Sequence, residues 1–288
     1  MNWPDGLNKK IVDNIINAAF EEDIGKGDLT SEAVISKKTY FTGVMSARDE
    51  MVCAGLPIAG RVFGLYSEKI TWTPRASDGD KIEAGSILAN IEGPAIDLLT
   101  AERTAINILQ HLSGIATLTS HYAEKIADLD TILLDTRKTI PGLRLAQKYA
   151  VTVGGASNHR VGLYDAILIK ENHIVAAGTI AKAVAAGRAQ NPGVMCEVEV
   201  ENLAEAEAGM RAEADRLLLD NFTHAQLKEA VKLRNEIAPM ISLEASGGVD
   251  VTTAKEIAEC LVDFISVGKL TKDISAIDLS MRFKLLEE

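Results

Sequence analysis

The chain has little of what a secreted, membrane-spanning or nucleic-acid-binding protein needs. Cysteine is scarce: Cys53, Cys196 and Cys260 are widely separated and show no pair spacing. That argues against a disulfide framework and a thiolate metal site, and reads as reduced, mostly packing residues in a cytoplasmic protein. No apolar run approaches the roughly 18 residues of a membrane span. The opening MNWPDGLNKKIVDN lacks the apolar centre of a signal peptide. Positive charge is also short. Against 41 Asp and Glu stand 30 Lys and Arg, leaving a formal net charge of −11. A nucleic-acid duplex needs a broad basic face and would be repelled by most of this surface. The hydrophobic fraction, 47%, is ordinary for a globular protein, and 288 residues allow one large domain or two modest ones.

What positive charge there is lies close together. Between Arg137 and Lys170 stand Arg137, Lys138, Arg144, Lys148, Arg160 and Lys170 against a single acid, Asp165. A concentrated basic segment in an acidic protein points to an anionic small molecule.

Residues 8–22 read as a helix with Ile11, Ile15, Ala18 and Ala19 on one face. Gly25-Lys26-Gly27-Asp28 ends it, and Asp28 or Thr30 is placed to cap the next element. From about 40 to 93, short β-prone runs (YFTGVMSA, EMVCAGL, KITWTP, SILANIEG) alternate with Gly, Pro and Asp turns. The piece DGDKIEAGSILANIEG has the texture of a biotinyl or lipoyl carrier, but no modifiable Lys at a hairpin tip accompanies it, so it reads as a shared β motif. Residues 95–127 read as helical with a break near Gly114, and Arg103 sits in this stretch. From about 130, the strand candidates TILLDT, AILIK, MCEVEVE, RLLLD, MISLEA and DFISVG alternate with helices at 178–189, 203–213, 223–236 and 252–261. This is the pattern of parallel β/α units, and six or more fit a barrel of the triosephosphate-isomerase kind, or an incomplete one. The final ISAIDLSMRFKLL reads as a strand or helix returning to the N-terminal domain.

In such barrels chemistry sits at the C-terminal ends of the strands. The polar residues here fall there: Asp135-Thr136-Arg137, Lys170-Glu171-Asn172, Glu199 to Glu201, Asp220-Asn221, Glu244-Ala245-Ser246 and Val267-Gly268. The loops Ser246-Gly247-Gly248 and Val267-Gly268-Lys269 stand where many barrels bind phosphate through backbone N–H groups. In CEVEVE, Glu197, Glu199 and Glu201 share one strand face, and buried carboxylates there need a cation or donors. Lys170 answers one. A divalent ion between Glu199 and Asp220 would answer more, and oxygen ligands beside phosphate suit Mg²⁺; salt bridging alone is the alternative. Arg137, Lys138, Arg160 and Lys170 supply forked and point-charge donors for carboxylate or phosphate. His159, beside Arg160, is expected to disfavour its charged form and to act by positioning. Together these residues describe a barrel enzyme for a phosphorylated, multiply anionic substrate.

Longer segments carry a specific resemblance. EEDIGKGDLTSEAV, AERTAINILQHLSGIATLT, DTRKTIPGLRLAQKYAV, GGASNHRVGLYDAILIKENH, EVEVEN, LLLDNF, LEASGGV and ISVGKLT run in order from residue 21 to 271. They resemble the quinolinate phosphoribosyltransferases, the carboxylating nicotinate-nucleotide pyrophosphorylases. The resemblance implies an α/β protein: an N-terminal α/β sandwich domain over 1–114, joined by 272–288, and an incomplete, seven-stranded α/β barrel of the TIM kind over 115–271. It implies transfer of phosphoribose from phosphoribosyl pyrophosphate to quinolinate with decarboxylation, giving nicotinate mononucleotide, CO₂ and pyrophosphate, in NAD biosynthesis. It implies a cytoplasmic homodimer in which Arg103 enters the partner's site and holds a quinolinate carboxylate. Arg137, Lys138, His159 and Arg160 match the quinolinate positions, with Lys138, Lys170, Glu199 and Asp220 as the catalytic set. Lys170, Glu199, Asp220, Ser246, Gly247, Gly248, Val267, Gly268, Lys269 and Lys272 match the phosphoribosyl pyrophosphate side. Glu199 and Asp220 match the Mg²⁺ side, directly or through water.

The match departs in two places. Lys269-Leu270-Thr271-Lys272 stands where the family usually reads Ala-Leu-Thr-His, putting a Lys where a His is expected near phosphate. Ala156 replaces a common third Gly, which is tolerable if its φ stays negative. A same-fold paralogue with another nitrogen-containing acceptor is the rival enzyme. A non-enzymatic carrier-like module built on 76–93 is the rival binding protein, and it leaves the strand-end acids and bases unexplained.

Overall fold

A computed structural model of the chain describes residues 3–286. In chain order the first elements are α1 (Lys9–Asp23), α2 (Leu29–Val34), β1 (Tyr40–Ala47), β2 (Met51–Val52), α3 (Leu56–Tyr66), β3 (Thr71–Pro74), β4 (Lys81–Ile82), β5 (Ile87–Pro94) and α4 (Ala95–Lys125). Then come β6 (Ile132–Leu134), α5 (Arg144–Val153), β7 (Ile167–Ile169), α6 (Glu171–Ala177), α7 (Ile180–Gln190), β8 (Cys196–Val200), α8 (Leu203–Arg211) and β9 (Arg216–Asp220). The last are α9 (His224–Ile237), β10 (Ser242–Ser246), α10 (Ala254–Ala258), β11 (Phe264–Ser266), α11 (Lys269–Lys272) and β12 (Leu279–Leu285). They divide into two compact units. Unit 1 runs to Ser120, takes in Thr139–Gly155 and resumes at Asp273; unit 2 is His121–Lys138 with Ala156–Lys272.

Unit 1 is built on a four-stranded antiparallel sheet in the order β12-β1-β5-β3. The C-terminal segment is the strand β12, paired along β1 from Phe41 with Leu285 to Ala47 with Leu279. The β-prone texture of 40–93 conceals a helix. In LPIAGRVFGLY, Leu56, Ile58, Ala59, Val62 and Phe63 are buried at helical spacing, and Pro57 occupies the first turn. Asp78 caps α3: its carboxylate accepts the N–H groups of Gly55 (2.8 Å) and Leu56 (2.9 Å). In α1 the buried stripe is Val12 and Ile16, while Ile11 is exposed, a rotation of the expected face by about one residue. Asp28 is the cap of α2, its Oδ1 accepting Thr30 N–H and Ser31 N–H.

The expected break at Gly114 does not occur. Helix α4 runs unbroken for 31 residues. Gly114 is there for space: a Cβ would lie 2.2 Å from the carbonyl oxygen of Ser275. The glycine admits the returning C-terminal chain, whose Ile277 N–H bonds Gln110 O at 3.1 Å. The segment 139–155 also groups with unit 1. Gln147 lies 2.9 Å from the His111 ring, Tyr149 donates to Asp78 at 2.6 Å, and Gly154 lets the chain approach Ala116 and Thr119. Arg144 and Lys148 therefore belong to unit 1, where Lys148 is buried.

Unit 2 is a six-stranded parallel sheet in the order β6-β11-β10-β9-β8-β7. Its seventh strand position shrinks to a single bridge, Ser157 with Leu134, because the chain then turns where Asp135 takes the N–H of His159. Alternation does the sorting. On β8 and β9, Val198, Val200, Leu217 and Leu219 are fully buried on the side that faces α7 and α8, leaving Glu197, Glu199, Arg216, Leu218 and Asp220 for the other face. Ala156 keeps a negative φ, so the missing glycine costs nothing there. No helix among the described residues is long and apolar enough to cross a membrane.

Gly114→Ala is expected to destabilise the protein by about 1–3 kcal/mol, the usual cost of forcing a methyl into a filled site. An unchanged denaturant midpoint in the variant would rule out the close approach of Ser275.

Candidate active site

The strands of unit 2 end around a cavity of about 310 Å³ lined by basic and acidic side chains. Arg137, Lys138, His159, Arg160, Lys170, Glu199, Asp220 and Ser246 all line it, with Leu168 and Leu218 as its apolar wall. All six strands contribute through their ends or following loops, as a curled barrel sheet requires. Two larger hollows, of about 520 and 670 Å³, open where the strands begin, and neither gathers basic groups of this density.

Two arginines stand side by side. Arg160 is half-buried and anchored by Nη1 to Ala166 O at 3.0 Å. Burial first, and then the neighbouring Arg137 charge, holds the Arg160 pKa below its ordinary value. Two like charges kept together favour an anion between them, and two guanidinium forks suit a pair of carboxylates. The loop carrying them is shaped locally: Asp165 accepts Val161 N–H at 2.6 Å and Gly162 N–H at 2.9 Å. The lone acid of the basic segment is thus a turn-former.

Opposite lie the acids. Lys170 pairs with Glu199, and Lys170's own N–H is held by His173 Nδ1 at 2.9 Å. Asp220 ends β9 next to Glu199. Burial and then the Glu199 charge raise its pKa, with Lys170 and Lys138 opposing. Asn221 follows in the left-handed region at φ 56°, donating to Asp220 at 2.8 Å. Gly247 must be glycine, because its φ is 93° and a Cβ would meet Asn221 Oδ1 at 2.1 Å.

The remaining expected residues divide. Ser246 lines the cavity, and Gly248 lies exposed beside it at φ 64°. Gly268 is close enough to Lys138 that a Cβ would sit 2.9 Å from its Cδ, and Thr271 Oγ1 donates to Lys138 O at 2.9 Å. Val267 is buried and its N–H is spent on Leu134 O, so its amide is not free for phosphate. Lys269 is half-buried and Lys272 exposed on α11. Arg103 is exposed on α4 in unit 1 and is not among the residues lining this cavity.

His159 reverses its expectation. Burial does oppose its charge, but hydrogen bonds and charge from Glu197 and Glu244 outweigh burial and push its pKa up to about 9. Its Nε2 lies 2.9 Å from Glu197 and 3.5 Å from Glu244, and the Arg160 amide nitrogen lies 2.8 Å from Nδ1, which accepts its N–H only while the ring is neutral. The adjacent Arg160 matters less than carboxylates delivered by β8 and β10. With both ring nitrogens engaged, His159 shapes the cavity more than it grips a ligand. Sequence reasoning places Glu244 among the strand-end polar residues but does not pair it with His159, and it does not single out Arg216, for which strict alternation along β9 is the available signal.

Two family models match the chain: the quinolinate phosphoribosyl transferase N-terminal domain over residues 28–113 and its C-terminal domain over 115–282. The chain belongs to this family. It is 40% identical over 271 residues to the carboxylating nicotinate-nucleotide pyrophosphorylase of Mycobacterium leprae, covering 92% of this chain and 95% of that one. It is 37% identical over 283 residues to a probable enzyme of the same name from Bacillus subtilis, covering 98% and 96%. The structure of the nicotinate-nucleotide pyrophosphorylase from Francisella tularensis matches at a TM-score of 0.93 and 41% identity, covering 99% and 100%. The quinolinate phosphoribosyl transferase family therefore accounts for the whole architecture, both units included.

A folded-state pKa near 9 against an ordinary 6.5 means that the native protein binds the extra proton more tightly. The stabilisation is complete below about pH 6.5 and is lost as pH rises through about 9. The melting temperature is expected to fall across that window, with a flatter profile in His159→Gln. Identical pH profiles for the two proteins would contradict the assignment.

Proposed function

We propose that the unit 2 cavity is where this chain joins quinolinate to phosphoribosyl pyrophosphate and releases CO₂ and pyrophosphate, forming nicotinate mononucleotide for de novo NAD biosynthesis. The observation that carries the reading is the like-charged pair Arg137 and Arg160 set across one small cavity from Glu199 and Asp220. Quinolinate brings two carboxylates to the arginines. Its diphosphate-bearing partner brings a ribose whose C1 becomes oxocarbenium-like, and the Glu199 and Asp220 carboxylates face that developing positive charge. Charge-assisted hydrogen bonds of this kind contribute about 1.5–3 kcal/mol each.

The pyridine nitrogen attacks C1 and the C1–O bond to pyrophosphate breaks. The ring nitrogen becomes cationic. The bond to the 2-carboxylate then breaks, its electron pair stays on C2 beside that cation, and a proton takes the vacated place. No organic cofactor is required. Lys138 and Lys170 supply positive charge where the two substrates meet. Lys170 is already neutralised in part by Glu199, so substrate anions compete with Glu199 for it.

Glu199 and Asp220 fit Mg²⁺. Both offer hard oxygen donors; burial first and then the Glu199 charge raise Asp220, and a cation held near the two would offset both. When bound, the ion neutralises the leaving pyrophosphate. Ser246, Gly247 and Gly248 offer a hydroxyl and close backbone approach to a 5′-phosphate. Lys269 and Lys272 add charge next to Gly268, in place of the family's usual Ala and His. Arg103, exposed on α4, is assigned to the quinolinate carboxylate of a partner chain in a homodimer.

Labelled CO₂ release from quinolinate tests this function. Release is expected only when phosphoribosyl pyrophosphate and Mg²⁺ are both present, with nicotinate mononucleotide formed in step; none from folded protein would favour a paralogue with another acceptor. Arg103→Ala is expected to raise the KM for quinolinate about tenfold or more, and that for phosphoribosyl pyrophosphate less than about twofold. Equal losses for the two substrates would refute its assigned role.

A further inference from the structure

Beneath the cavity lie two carboxylates that the proposed reaction does not use. Glu197 and Glu244 are both wholly buried. Both point at one atom, His159 Nε2. Arg216 Nη1 stands 3.0 Å from Glu244, its guanidinium stacked 3.8 Å from the centre of the Phe264 ring, and the Ser266 hydroxyl also bonds Glu244. Groups from β8, β9, β10 and β11 thus converge on one imidazole.

The three ligand atoms of His159, Glu197 and Glu244 lie within 4.8 Å of one another, close enough for a metal ion. Arg216 brings one cation to Glu244 and a protonated His159 brings a second to Glu197, so the two carboxylates are met by the protein's own side chains. What it holds is the ring. His159's own N–H is fixed to Asp135 at 2.8 Å, and its Nδ1 packs 2.8 Å from the Arg160 amide nitrogen. The next residues are poorly covered: Leu163 and Tyr164 are 74% and 81% exposed. Arg160 therefore sits at the root of a loosely packed turn, next to a like charge that pushes it away.

We propose that Glu197 and Glu244 are positioning residues for capture of the dicarboxylate substrate, acting through His159 to hold Arg160 beside Arg137. This rests on the functional reading above. A barrel floor that clamps the ring keeps two repelling arginines in register before any anion arrives, so binding does not have to order them.

Calorimetric titration of quinolinate into wild type, Glu197→Gln and Glu244→Gln, with steady-state KM for phosphoribosyl pyrophosphate, tests this. Each isosteric change is expected to weaken quinolinate about tenfold or more while the other KM moves less than about twofold. Glu197→Asp, which keeps the charge, should recover part of the loss. Unchanged quinolinate binding in folded variants, or equal weakening of both substrates, overturns the proposal. A measurement on wild type alone does not depend on the variants folding. Proton NMR of ¹⁵N-histidine-labelled protein should show a downfield, hydrogen-bonded His159 Nε2–H, assigned through its ring correlations, and its absence overturns the clamp. One equivalent of tightly held metal at the cluster would also overturn it. Failure of wild type to bind quinolinate at all would instead refute the functional reading.

Discussion

Burying two carboxylates inside a barrel is the constraint on which unit 2 depends. Glu197 and Glu244 have no access to water, and an isolated charge there would be prohibitive. Their presence forces a cation into the floor, which Arg216 supplies, and a donor above it, which His159 supplies. The result is a polar floor under the cavity, with Leu168 and Leu218 as the apolar wall above it. The basic residues at the rim stand above carboxylates that already have Arg216 and His159 as partners.

The rim follows the same economy of charge. Lys170 is paired with Glu199, Asp220 is raised by burial and then by Glu199, and Arg160 is lowered by burial and then by Arg137. Each of these is a local excess of one sign within a few residues of an excess of the other. In a chain with a formal charge of −11, four of the six Lys and Arg between Arg137 and Lys170 line this one cavity. Glycines act at the same places: Gly247 and Gly268 make room for Asn221 and for the Lys138 stem, so the backbone is shaped around neighbouring side chains.

Unit 1 answers to a different, half-buried carboxylate. Asp78 caps α3 through Gly55 and Leu56 and takes the Tyr149 hydroxyl from α5, and burial raises its pKa in spite of these donors. The DGD motif that resembles a carrier turn in sequence is therefore a helix cap and an anchor. That explains its presence without a modifiable lysine at a hairpin tip.

Much of the site is legible in the sequence because period-two alternation and strand-end position depend only on neighbours along the chain. The run CEVEVE, the Asp220-Asn221 end of β9 and the glycine loops announce themselves in this way, as does the parallel β/α order. The differences between sequence and structure all involve partners distant along the chain. His159 sits beside Arg160 in sequence, yet Glu197 and Glu244 govern it. Gly114 has the look of a helix break, yet the carbonyl of Ser275 explains it. Residues 56–66 look β-prone between turns, yet Asp78 caps them as a helix. Arg144 and Lys148 count toward one basic pocket in sequence, yet α5 carries them into unit 1. By itself, then, the sequence determined the order of elements, the faces of the barrel strands and the kinds of charge available. Only the tertiary structure decided which charges meet, because electrostatic and packing energies depend on distance through space and not on separation along the chain.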